Sequence, residues 1–263
     1  MSDILGGERW RVLTGDCLDI LRGLPDGSID AVVTDPPYDA RTHQNVTSCA
    51  GGFGPTLMIS KTDINFTPLD SYEWLAEAFR VSKGWVIAFC SLEMLGVYAD
   101  HAGARYVRSG IWHKPNAAPQ FTGDRPGNAC EGIAIMHSGA CKKEWNGGGS
   151  RGFWSVSTPP GGDARHHPTQ KPEPLMADLL TKFTDPGSLI LDPFCGSGTT
   201  GVAAMRLGMR FLGCELDEQY ADIARARIAA AAAHPRLDFD APGQAPNPKY
   251  TTGELFDGGT TTP

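Results

Sequence analysis

Ser188-Leu189-Ile190-Leu191-Asp192-Pro193-Phe194-Cys195-Gly196-Ser197-Gly198-Thr199-Thr200 is the stretch on which the fold turns. The apolar run at its start reads as a buried strand. The Gly-x-Gly turn then opens a helix predicted to run through Leu207, where Gly208 closes it. Arg210-Phe211-Leu212-Gly213-Cys214 is the next strand and ends at Glu215. Asp217 is placed to cap a long Ala-rich helix reaching about Ala233. Strand, glycine turn, helix and strand in close succession predict parallel strands and an α/β fold.

That order also carries chemistry. The glycines let the backbone come close to a ligand, and the helix N-terminus offers unpaired N–H groups. Glu215 lies seventeen residues after Gly198, where an acid can hydrogen-bond ribose hydroxyls. A phosphate-binding loop would need Gly-Lys-Ser/Thr, and this loop has no lysine. The dinucleotide form fits poorly, because Asp192-Pro193 precedes the turn. A nucleoside cofactor without phosphates, S-adenosylmethionine, fits the loop.

Working towards the N-terminus, a second strand ends unusually. Ile29-Asp30-Ala31-Val32-Val33 runs into Thr34-Asp35-Pro36-Pro37-Tyr38. Two prolines remove two donors and fix φ twice, so the chain leaves the sheet in a set direction. An acid and an aromatic ring are then held at the carboxyl end of a strand, the edge where open α/β sheets bind ligands. Taken alone, the tetrapeptide also fits a Pro-rich turn with a solvated Asp.

The remaining elements frame these two. Trp10–Thr14 is a short strand, followed by the Gly15-Asp16-Cys17 turn and an Asp16-capped helix to about Leu24. This strand–helix–strand unit implies parallel pairing with the strand that leads into Asp35. Tyr72 to Val81 reads as a helix capped by Ser71 or Asp70, Trp85–Cys90 as a buried strand, and Met94 to Ala102 as a weaker helix. Arg105–Trp112 and Glu131–His137 read as partnered strands, and Pro174–Phe183 as a helix with Pro in its first turn. Residues 39–70 show little periodicity and suit a lid or a substrate-facing loop. Residues 138–170 read as irregular, interleaving Lys142, Lys143, Trp145, Arg151, Phe153, Trp154 and Arg165. That mixture suits charges for phosphate and rings for bases. The expected organisation is one domain over 1–235, with 138–166 as a target-recognition segment and 236–263 as a flexible tail.

Of 263 residues, 41% are hydrophobic, enough for a single α/β core. The net charge of −7 argues against polyanion binding by the whole surface. Charge is uneven, however. Arg105 to Lys171 holds nine Lys/Arg against four Asp/Glu, a net of +5 on an otherwise acidic chain. One basic segment suits contact with nucleic acid through one face. Seven cysteines, none in a C-x-x-C pair, argue against zinc and against a disulfide framework. No apolar run approaches membrane-spanning length, so the expectation is a cytoplasmic protein with no membrane partner.

Together, Asp35-Pro36-Pro37-Tyr38, the Asp192–Thr200 loop, His167-Pro168-Thr169-Gln170-Lys171-Pro172 and the Gly15-Asp16-Cys17 turn resemble the DNA amino-methyltransferases that modify exocyclic base amines. Their order, tetrapeptide first and loop last, resembles the permuted β group, over roughly residues 10–230. The resemblance implies a Rossmann-like class I methyltransferase fold with a mostly parallel twisted sheet. It also implies a prokaryotic or phage setting, double-stranded DNA as partner, a homodimer and S-adenosylmethionine as cofactor, with no metal. Asp35, Pro36, Pro37 and Tyr38 would be catalytic. Phe194, Gly196 and Gly198 would line the methionine and ribose of the cofactor, and Glu215 its ribose hydroxyls. Asp16 would meet its adenine amine, Thr169 and Lys171 its carboxylate, and Asp192 its amino group. Cys17, Thr34, Ser197, Thr199 and Leu216 would complete that pocket. Lys114, Asn116, Arg125, Lys142, Lys143, Arg151 and Arg165 would contact DNA. Asp in the first catalytic position resembles adenine-N6 enzymes. Cytosine-N4 or RNA methylation, and a non-catalytic nucleic-acid-binding subunit, stay open as alternatives.

Overall fold

A computed structural model describes residues 5–37, 72–121, 123–159 and 170–234. Tyr38, the 39–70 loop, Arg165, Thr169 and the 236–263 tail, all singled out above, lie outside the described residues.

The strands are β1 (Trp10–Thr14), β2 (Ala31–Thr34), β3 (Trp85–Cys90), β4 (Tyr106–His113), β5 (Cys130–His137), β6 (Phe153–Ser155), β7 (Leu189–Asp192) and β8 (Arg210–Glu215). The helices are α1 (Cys17–Arg22), α2 (Glu73–Val81), α3 (Leu95–Ala102), α4 (Glu173–Phe183), α5 (Thr199–Arg206) and α6 (Glu218–Ala233). Among the described residues, eight strands form one sheet, in the order β1-β8-β7-β2-β3-β5-β4-β6. The pairing makes every strand parallel except β5, which runs against β3 and β4.

Side chains alternate across the strands and build two cores, as the pleat requires. On one face Val33, Ile87, Ile190 and Phe211 pack against Leu179, Val202 and Ile228 of α4, α5 and α6. On the other, Val32, Val86, Leu191 and Leu212 pack against Leu21, Leu75, Phe79 and Tyr98 of α1, α2 and α3. Strands covered on both faces must be apolar on both, which is why β2, β3 and β7 are buried at every position.

Asp16 caps α1 by accepting from Leu18 N at 2.7 Å, and Asp217 caps α6 by accepting from Gln219 N and Tyr220 N. α2 starts after Tyr72, which makes no side-chain capping bond; Ser71 and Asp70, expected as caps, lie outside the described residues. The structure corrects two expectations. β1 and β2 run parallel but are not neighbours, because β8 and β7 take the slots between them. The 138–170 region is not wholly irregular, since β6 joins the sheet edge beside β4.

Candidate active site

Adjacent β2 and β7 mark the point where the strand order reverses, β3 following β2 on one side and β8 following β7 on the other, and the crevice beyond their carboxyl ends is the place such folds bind ligands. Asp35 follows β2 and Asp192 ends β7. The Thr34 hydroxyl, fully buried, donates to Asp192 Oδ1 at 2.6 Å and ties the two strand ends together.

Asp35 heads a chain of alternating charges. Its Oδ2 accepts from Lys171 Nζ at 2.5 Å; Lys171 Nζ also lies 3.1 Å from Glu131 Oε2, and Lys114 Nζ lies 2.5 Å from Glu131 Oε1. Three of these side chains are largely withdrawn from solvent, 8% exposed for Lys171, 14% for Glu131 and 17% for Lys114, and Asp35 is 25% exposed. Phe89 and Trp112 wall the group, their rings 5.1 and 5.8 Å from the Lys171 ammonium. Among the described residues, the buried Asp35 Oδ1 has no hydrogen-bond partner. A buried acceptor left open carries a free-energy cost unless a ligand donor meets it. Burial pushes the Asp35 carboxyl above its ordinary range, Lys171 pulls it down and Glu131 pushes it up. Burial works against the Lys171 ammonium, but Asp35 and Glu131 outweigh it and hold the amine protonated.

The glycine loop forms the second half. Asp192 Oδ1 accepts from Phe194 N at 3.2 Å and its Oδ2 from Thr200 Oγ1 at 2.6 Å, so this carboxyl folds the loop onto α5. Burial lifts it to about 6 against these bonds. Gly196 and Gly198 adopt φ of 52° and 81°, left-handed values that L side chains resist. A Cβ on Gly196 would meet nothing within 4 Å, so its backbone faces open space. Glu215 is set by two backbone donors, Gly196 N at 2.7 Å and Asp217 N at 3.0 Å. Its partner in the β1–β8 register is Thr14, and Gly15 N donates to Glu215 O, which brings the Asp16 turn alongside. Leu216, 65% exposed, stands at the same edge, and half-buried Phe194 packs edge-on against Trp74.

Glycine backbone, anchored acid, exposed aliphatic side chain and aromatic ring suit a nucleoside cofactor. Ser197 and Thr199 are buried and lie against the Arg227 guanidinium, which braces the loop from behind. Cys17 is half-buried, its thiol pushed up to about 12 by burial.

The resemblance implies Lys171 at the carboxylate of the cofactor. The structure puts its charge on Asp35, a neighbour 136 positions away. Lys114, expected at DNA, is spent on Glu131, and Asn116 holds Thr158 through three bonds. Arg125 pairs with Asp124 at 2.7 Å. Lys142, Lys143 and Arg151 are exposed. The tryptophans expected to face bases turn inward: Trp154 is buried and donates to Asp178 Oδ2 at 2.6 Å, and Trp145 packs on Phe183. Phe153 stays exposed and stacks on His113. Sequence reasoning passed over Glu131 and Arg227. The only signal for Glu131 was an acid opening the apolar run Gly132–Met136.

The family described as DNA methylase matches residues 29–226. The chain is 30% identical over 244 residues to the Type II methyltransferase M.HinfI of Haemophilus influenzae, covering 82% of this chain and 67% of that one. Among solved structures, an M1.HpyAVI-SAM complex shares 25% identity with a TM-score of 0.63, covering 83% of this chain and 99% of that one. The cytosine-N4-specific PvuII DNA methyltransferase shares the fold at 16% identity, with a TM-score of 0.61 and coverage of 86% and 92%.

Proposed function

Since the chain belongs to the N6/N4 DNA methylase family, we propose that it transfers a methyl group from S-adenosylmethionine to the exocyclic N6 of an adenine in double-stranded DNA, with the base turned out of the duplex. The observation that carries this reading is the Asp35 carboxyl, one oxygen on Lys171 and the other buried and open, joined through Thr34 to the glycine loop.

An aromatic amine is a poor nucleophile, because its lone pair is delocalised into the ring. Asp35 Oδ1 and the Pro36 carbonyl accept its N–H bonds and draw the nitrogen towards tetrahedral geometry. They also stabilise the positive charge that develops on it. Pro37 fixes the backbone beyond, and Tyr38 supplies a stacking face for the extruded base. Bound S-adenosylmethionine supplies an electrophilic methyl group on a sulfonium. Glu215 accepts from its ribose hydroxyls, Asp16 from its adenine amine, and Gly196 lets the backbone approach. Thr169 is assigned to its carboxylate end. Lys142, Lys143, Arg125, Arg151 and Arg165 contact the DNA backbone. A cytoplasmic setting and a homodimer belong to the same proposal, by resemblance.

Adenine is preferred to cytosine because Asp, and not Ser, opens the catalytic tetrapeptide. The decisive experiment incubates the chain with labelled S-adenosylmethionine and unmethylated DNA, then identifies the methylated nucleoside by mass spectrometry. N6-methyladenine within one recurring sequence is expected. N4-methylcytosine overturns the choice of base, and absence of any methyl transfer overturns the enzyme.

A further inference from the structure

We propose that Glu131 is a positioning residue: with Lys114, it holds the Lys171 ammonium on one oxygen of Asp35 and so keeps the other oxygen available to the target amine. This rests on the functional reading above.

Glu131 reaches the site because β5 is the antiparallel strand. Its first residues lie at the edge where the parallel strands end, with Glu131 opposite Trp112 and Gly132 opposite Cys90. The ammonium has three donors and no preference between the two oxygens of a single carboxylate. A second carboxylate 3.1 Å away gives it a direction. Lys114 occupies Glu131 Oε1 and turns Oε2 towards Lys171. Two acids and two bases alternate, so each of these withdrawn side chains has one of opposite sign beside it. Lys114 also lies over the Trp112 ring at 4.9 Å, which fixes the outer end. The other titratable groups that sense Asp35 include Asp192 from β7, the Cys90 thiol from β3 and Tyr98 from α3.

The test compares Glu131→Gln, Lys114→Met and the double variant with the wild-type chain, reading kcat against pH and cofactor affinity by calorimetry. Activity needs ionised Asp35, so it fails as pH falls through that group's pKa. Glu131→Gln removes a repelling charge and moves the acidic limb to lower pH, while kcat at neutral pH falls by about 10-fold or more as the ammonium loses its orientation. Lys114→Met removes a supporting charge and moves the limb to higher pH. The double variant brings the limb back towards the wild type. Cofactor affinity stays within about 2-fold throughout, as a group that orients only the acceptor site requires.

Limbs that do not move, limbs that move the same way in both single variants, or cofactor affinity falling in step with kcat each overturn the proposal. A wild-type chain that transfers no methyl group overturns the functional reading, and this one with it.

Discussion

At the scale of single residues, two carboxyls set the site, and their surroundings give them different duties. Asp35 is held by one cation and keeps an open oxygen, whereas Asp192 has bonds from Thr34, Thr200 and Phe194 N. Asp35→Ala is therefore expected to cut methyl transfer by about 10²–10³-fold, the loss typical of one preorganised polar group, with cofactor binding retained in calorimetry. Weakened cofactor binding with normal turnover at saturation would refute the assignment. Asp192 acts on stability. Its folded pKa of about 6 stands above the ordinary 3.8, so the unfolded chain releases this proton first as pH rises. Stability from this group is thus highest below about pH 4 and declines towards pH 6. Relative to Asp192→Asn, the wild type should lose about 3 kcal/mol across that window in urea titrations, from the 3.8-to-6 difference. A pH-independent gap between the two would refute the burial argument.

At the scale of elements, the glycine loop joins β7 to α5 and uses its two left-handed residues differently. Gly198 lies against α6, where an added Cβ would come within 2.9 Å of the Ala224 Cβ, while Gly196 faces open space. Gly198→Ala should lower stability by about 2–4 kcal/mol, combining backbone strain with overpacking. Gly196→Ala carries the strain alone, about 1–2 kcal/mol, but places a methyl group where the backbone is proposed to meet the cofactor. Thermal unfolding and cofactor titration of the pair separate the two effects; equal drops in stability would sink the distinction. The same scale explains β6. Three residues with an exposed–buried–exposed pattern are too short for a periodic signal, and Trp154 finds its place through tertiary partners such as Ile111–His113 of β4 and Asp178 of α4.

At the scale of the whole molecule, an acidic chain with one basic segment presents Lys142, Lys143 and Arg151 to solvent. Changing all three to Gln should weaken DNA binding uniformly across sequences and reduce the slope of log K against log salt by about 1 for each phosphate no longer neutralised. An unchanged slope would place the DNA elsewhere. Much of this fold is legible in the sequence. The order of all strands but β6 and of the helices, the two Asp-Pro motifs at strand ends, the Asp16 and Asp217 caps and the place of Glu215 follow from hydrophobic periodicity and from Pro, Gly and capping residues, all of which act within a few positions of the chain. Tertiary structure alone decided which groups meet. It placed β7 and β8 between β1 and β2, turned Trp145 and Trp154 inward, and brought Lys171 and Glu131 to Asp35. The Lys171–Asp35 pair spans 136 positions, and the approach of Glu131 depends on the reversed direction of β5, so no local pattern encodes them. They are fixed where buried charges require partners that only packing can deliver.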